Sequence, residues 1–228
     1  LSAKENGADC VKFQSWTADS LIAKEEYERN QSYNDGDGGK KHFGSLKEMV
    51  LKYQLTKDQH VYLNTFCDDN NIDFCSTPFS IEEADLLNTL DIPFYKIASM
   101  DINNFRLLRH VASFKKPIIL STGMSNIKEI EDAVKIIEDE GNKHIIILHC
   151  ISIYPPKYLD INLNNIKMLQ EKFKYPIGFS DHSIGTSIPL ASVALGACLI
   201  EKHFTLDNKK NGPDHFFSMN PKSWFEMI

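Results

Sequence analysis

HIIILHC, residues 144–150, runs through four consecutive aliphatic residues before it reaches His149 and Cys150. A strand with one wet face alternates apolar and polar residues. A continuous β-branched run belongs to a strand covered on both faces, as in a parallel sheet flanked by helices. Six further runs share this character: ADCVKFQS (8–15), IDFCSTPF (72–79), FYKIAS (94–99), PIILSTG (117–123), PIGFSDH (176–182) and ACLIEKHFT (197–205). Most are flanked by Gly, Pro or Asp, residues that favour turns.

Helical patterns lie between the runs. SLKEMVLKYQ (45–54) spaces Leu46, Met49, Val50 and Tyr53 along one face, and TKDQHVYLNTFCDDNN (56–71) opens on Thr56, a capping residue. SIEEADLLNTL (80–90) carries Ser80 and Glu83 at capping-box spacing. SNIKEIEDAVKIIEDEG (125–141) starts at Ser125 without a box and ends on Gly141, a C-cap residue. NLNNIKMLQEKF (162–173) and SIPLASVALG (187–196) complete the set, and LSAKENGAD (1–9) reads as a helix end with Gly7 near its C-cap.

Alternating strands and helices at this spacing specify parallel βα units. Seven strands predict a (β/α)8 TIM barrel over residues 1–228 whose first strand lies upstream of Leu1. A doubly wound open sheet is the alternative, and the lack of a Gly-rich dinucleotide fingerprint after any strand counts against it. The chain opens on Leu1 rather than Met, so a piece of a longer protein is expected.

With 228 residues, 42% of them hydrophobic, the chain can bury one sizeable core. Its formal charge of −6 and its lack of long basic runs argue against nucleic-acid binding. No apolar stretch reaches the roughly 18 residues a membrane span needs. The five cysteines, Cys10, Cys67, Cys75, Cys150 and Cys198, match no zinc or redox spacing. Buried free thiols in a reducing cytoplasm are expected. Segment 24–45 is polar, Gly-rich and long for a βα connection, and it is expected to act as a lid over the mouth.

A barrel places its chemistry at the C-terminal ends of its strands. Those ends carry Lys12 and Gln14; Ser76 and Thr77; Lys96 and Ser99; Ser121 and Thr122; His149; Ser180, Asp181 and His182; and Glu201, Lys202 and His203. One polar residue there is ordinarily a turn or cap. Recurrence around the strands points instead to a shared site. Lys12 and Lys96 with several hydroxyls suit a small, highly charged anion. His182 and His203 end consecutive strands, so neutral imidazoles there could hold a divalent ion with positions left open.

VKFQ (11–14), YKIAS (95–99), STGM (121–124), HC followed by YP (149–155), GFSDH (178–182), EKHFT (201–205) and GPDH (212–215) together resemble the sialic acid synthase family. That group includes the N-acetylneuraminate, legionaminate and pseudaminate synthases. The motifs occur in the family's order and cover almost the whole chain. The resemblance implies condensation of phosphoenolpyruvate with an N-acylated mannosamine-type sugar, giving a nine-carbon 2-keto acid and phosphate. It implies a divalent cofactor, Mn2+ or Mg2+, held by His182 and His203. Phosphoenolpyruvate would be gripped by Lys12, Thr77, Lys96, Ser99, Ser121, Ser152, Tyr154 and Ser180. Gln14, Asp101 and Asp214 would face the acceptor sugar. Lys12, Lys96, Asp101 and Tyr154 would be the catalytic groups. A cytoplasmic homodimer is implied, with a small C-terminal antifreeze-like domain outside residues 1–228.

Two positions depart from the family pattern. Ser152 stands where relatives often carry Asn, and Asp101 where several carry Glu. The acidic residue expected on the family's first strand is not in this sequence. Two other enzymes remain as alternatives. A 3-deoxy-2-keto sugar acid synthase acting on a phosphorylated aldose would need a further basic site, yet the three arginines (Arg29, Arg106, Arg109) all lie away from strand ends. A metal-dependent hydrolase barrel would need additional His or Asp ligands.

Overall fold

A computed structural model describes residues 1–30 and 44–228. The seven apolar runs form seven strands: β1 (Cys10–Ser15), β2 (Asp73–Pro78), β3 (Tyr95–Ile97), β4 (Ile118–Ser121), β5 (Ile145–Cys150), β6 (Ile177–Asp181) and β7 (Ile200–Lys202). All pairings are parallel. β1 pairs with β2, and β3 to β7 form a five-stranded ladder in chain order, with β2 packed beside β3. The series curls: the Lys12 ammonium on β1 lies 3.5 Å from the Glu201 carboxylate on β7. The result is an α/β fold with a curled parallel sheet, its helices on the outer face.

The core lies between strands and helices. Phe74, Tyr95, Ile97, Ile118, Leu120, Ile147 and Phe179 from the strands are buried with Leu87, Leu108, Ile137, Ile166 and Leu169 from the helices. Each such side chain contributes about 1.5–3 kcal/mol of burial free energy. The helix Lys57–Asp69 is capped by Thr56, with Gln59 completing a box. Gly7 and Gly141 take positive φ where helix ends were expected, and the Gly141 N–H reaches the Glu138 carbonyl at 2.7 Å.

Several expectations need correction. The helix Ile127–Asp139 is capped by Asn126, not Ser125, and Asn126 forms a box with Glu129. Ser80 caps the helix Ile81–Thr89, but the Glu83 carboxylate turns upstream to the Phe79 N–H and the Ser20 hydroxyl. An unforeseen helix, Phe105–Ser113, buries Leu107, Leu108, Val111 and Ala112 behind an Asn104 cap. Cys67, Cys75 and Cys150 are buried free thiols, whereas Cys198 is exposed just before β7. In segment 24–45, Lys24–Arg29 is helical, and residues 31–43, where the lid was expected, lie outside the described residues.

Candidate active site

Successive side chains of a strand point to opposite faces, and this parity sorts the strand-end residues. Register pairs Ser180 with Glu201 and Asp181 with Lys202 across β6 and β7. Ser180 and Glu201 face inward, where the Ser180 hydroxyl donates to Glu201 Oε1 at 2.8 Å. Asp181 and Lys202 face the other way and form a buried ion pair at 2.5 Å, with Asp181 also accepting from the Ser183 N–H and hydroxyl. Asp181 therefore braces the turn after β6. One step beyond Ser180 and Glu201 on the inner face come His182 and His203.

The inner face gathers the expected anion groups. The buried Lys96 ammonium donates to the Ser121 hydroxyl at 2.6 Å and to the Ile97 carbonyl at 3.1 Å. It lies 3.6 Å from Glu201 Oε1, with Lys12 3.5 Å from Oε2. Burial alone pushes the Glu201 carboxyl up, but Lys12, Lys96 and the Ser180 hydroxyl more than offset it, holding the group down at about 2. Burial lowers the Lys96 ammonium, and Glu201 opposes that shift. Ser99 accepts the Gly123 N–H at 2.9 Å. A Cβ on Gly123 would stand 2.5 Å from Ser152 Oγ and 2.9 Å from Cys150 Sγ and Ser99 Oγ, so only glycine leaves this cradle open. Thr77, level with Gln14 across β1 and β2, keeps its hydroxyl buried with no hydrogen-bond partner among the described residues. A buried polar atom without a partner costs free energy that a ligand oxygen could recover.

The two imidazoles stand with ring centroids 5.4 Å apart. His182 Nδ1 lies 2.9 Å from the Ile151 carbonyl, which only accepts, so Nδ1 carries the proton and Nε2 keeps its lone pair. Burial lowers His182, and burial together with His182 and Lys12 pushes His203 down to about 3. Both rings are therefore neutral near pH 7, the form that binds metal. Tyr154 lies across them, 4.1 Å from the His182 ring and 6.1 Å from the His203 ring. Burial pushes its phenol up to about 12. Asp214 approaches His203 Nδ1 at 3.5 Å, and burial raises its carboxyl. No group of three or more His, Cys, Asp or Glu placed to hold a metal occurs among the described residues, so protein would supply two ligands and leave the rest open. This donor set fits a divalent ion that also binds substrate or water.

Asp101 sits in the short 3-10 turn after β3. Its Oδ1 accepts from Asn104 at 3.0 Å, while Oδ2 is buried without a partner among the described residues. Burial raises its carboxyl. His149 is turned outward. It donates to the Ile161 carbonyl at 2.7 Å, stacks on Phe179, and lines a cavity of about 370 Å³ that also borders Ile130 and Leu169. Ser76 also points outward, into a chain of hydrogen bonds through Ser15 to His60. Sequence reasoning placed Glu201 at a strand end without giving it a role and left Cys150 out of the site. Parity could have found both: Glu201 shares a face with His203, and Cys150 sits opposite Ser180 in register.

The sequence model of the NeuB family matches residues 1–228. The N,N'-diacetyllegionaminic acid synthases of Campylobacter jejuni and Legionella pneumophila are 42% and 37% identical, over 96% and 100% of this chain. The chain spans 65% and 64% of those two relatives. The crystal structure of the N-acetylneuraminic acid (sialic acid) synthetase of Leptospira borgpetersenii superposes with a TM-score of 0.85 at 34% identity. That match covers 99% of this chain and 73% of the Leptospira chain. With the family model matched over residues 1–228 and the fold superposed over 99% of its length, this chain belongs to the NeuB family.

Proposed function

We propose that the chain is the catalytic part of a synthase that joins phosphoenolpyruvate to an N-acylated mannosamine-type sugar. The product is a nine-carbon 2-keto sugar acid of the sialic, legionaminic or pseudaminic type, and phosphate leaves. One observation carries the reading: Lys12, Lys96, Ser121 and Ser180 meet on the inner face, one residue step below a pair of neutral histidines. Phosphoenolpyruvate is small and densely charged. Two ammonium groups and directed hydroxyls offset its desolvation, with Ser99, Ser152 and the open cradle at Gly123 beside them. Thr77 offers a further donor, while Gln14, Asp101 and Asp214 are assigned to the acceptor sugar. Tyr154 covers the histidines and limits water there.

His182 and His203 would hold Mn2+ in preference to Mg2+, because two imidazole nitrogens suit the less hard ion. When bound, the metal supplies Lewis-acid polarisation of the sugar's aldehyde. The alkene carbon of phosphoenolpyruvate bonds to that aldehyde carbon, and water adds at C2. The tetrahedral product then loses phosphate by C–O cleavage. Lys12 and Lys96 stabilise the phosphoryl charge throughout.

Finer assignments follow from the same reading. An eighth strand lying between β1 and β7 would close the barrel; support comes from the curl that brings Lys12 to Glu201. The rim of the mouth exposes Ile153, Tyr154, Tyr158, Leu159 and Ile184, which supports a covering partner, as in a homodimer with an antifreeze-like domain. Five free cysteines and a substrate drawn from central metabolism support a cytoplasmic location. The full-length protein tests the central reading. Phosphate release from phosphoenolpyruvate should require both an N-acylated hexosamine and a divalent ion. Release with a phosphorylated aldose and not with the amino sugar would overturn it.

A further inference from the structure

Glu201 lies in the middle of the groups that this reading reserves for phosphoenolpyruvate. Its Oε2 is 3.5 Å from Lys12 Nζ and its Oε1 is 3.6 Å from Lys96 Nζ, while Ser180 donates to Oε1 at 2.8 Å. The serine contact is a full hydrogen bond. The ammonium contacts are longer than the roughly 2.7–2.9 Å of a charge-assisted hydrogen bond. The carboxylate is thus fixed by β7 and Ser180, and the lysines lean toward it without being locked. An incoming phosphoryl group or carboxylate must take the same two ammonium groups. The register of β7 with β6 pins the Glu201 backbone, and the Ser180 hydrogen bond holds its carboxylate beside the lysines.

We propose that Glu201 is a tethered counter-anion that holds the lysine pair in place in the empty site and competes with the phosphoryl group for it. This inference rests on the phosphoenolpyruvate site proposed above. Its consequence is kinetic. A site of two lysines and several hydroxyls with no internal anion would retain inorganic phosphate after the reaction. A fixed negative charge beside the ligand weakens that hold and speeds product release. A purely structural role, in which Glu201 only keeps the lysines ordered, predicts the opposite sign.

The test uses the full-length protein and Glu201→Gln, an amide that keeps the shape and still accepts from Ser180. Titration calorimetry with inorganic phosphate, without acceptor sugar, should show Kd about tenfold lower in the variant, the size of one screened like-charge contact. The KM for phosphoenolpyruvate and kcat should both fall, with a burst of product in the first turnover and no change in the KM for the amino sugar. Glu201→Asp, which keeps the charge, should hold phosphate affinity within about threefold of wild type. A phosphate Kd that is unchanged or higher in Glu201→Gln overturns the proposal. Failure of the site reading would look different: Lys96→Met would then leave phosphate and phosphoenolpyruvate binding unaltered.

Discussion

Ser180, Asp181 and His182 are consecutive, and the middle one belongs to a different environment. Parity sends Ser180 and His182 inward and Asp181 outward to the Lys202 ammonium. The polar residue types at the strand ends were legible in the sequence, since lysines, histidines and hydroxyls recur at one end of most of the strands. Their sides follow from counting in twos along each strand, a count that the residue types alone did not supply. His149 shows the consequence: it ends a strand like His182 but is buried among helices, bonded to Ile161. Burial lowers its pKa. The folded protein therefore keeps the ring neutral while the unfolded chain takes up a proton near pH ~6.5. Stability from this residue is complete above that pH and is lost as pH falls toward the folded-state value. His149→Gln retains a donor for Ile161 and removes the titration. Urea unfolding between about pH 7 and about pH 5.5 should show wild type losing up to about 1 kcal/mol more than the variant. Equal losses in both would remove His149 from the acid sensitivity.

The strands were readable as elements because short, β-branched-rich apolar runs bounded by turn residues suit strands buried on both faces. Helix ends were read less well. Asn126 and Ser125 are both capping types, and the two bonds of the box decide between them: the Glu129 N–H donates to Asn126 Oδ1, and the Asn126 N–H donates to the Glu129 carboxylate. The missed helix Phe105–Ser113 did carry a signal: Asn104 followed by apolar residues at 107, 108, 111 and 112. Close packing of β6 on β7 was invisible in the sequence, although GFSDH begins with the residue responsible. A Cβ on Gly178 would meet Leu148 Cδ2 at 2.6 Å and the Leu199 carbonyl at 2.7 Å. The leucine side chain can turn aside, but the carbonyl accepts the Phe179 N–H at 2.8 Å and is held. Gly178→Ala must push the two strands apart. It should cost about 1–3 kcal/mol, the usual range for overpacking a tight core. A urea midpoint equal to wild type would show that the strands yield without strain.

At the scale of the whole molecule, the curl of the sheet turns seven separate strand ends into one site. Sequence spacing specified the βα order; it could not specify how far the sheet bends, because that depends on side-chain packing summed over every strand. The curl also fixes what surrounds the mouth. The loops after β5 and β6 present Ile153 (52% exposed), Tyr158 (65%), Leu159 (95%) and Ile184 (54%) on one rim, with the Tyr158 hydroxyl on the Ile184 carbonyl joining the two loops. Single exposed aliphatics are ordinary, but a group on a joined pair of loops beside the candidate site is a candidate contact surface. If the proposed homodimer covers this rim, a charge there opposes association because it would be buried without a partner. Leu159→Glu in the full-length protein should lower the mass measured by light scattering from dimer toward monomer at micromolar concentration. Thermal stability of the fold should hold, since Leu159 is almost fully exposed. A dimer mass unchanged by Leu159→Glu would place the subunit contact elsewhere.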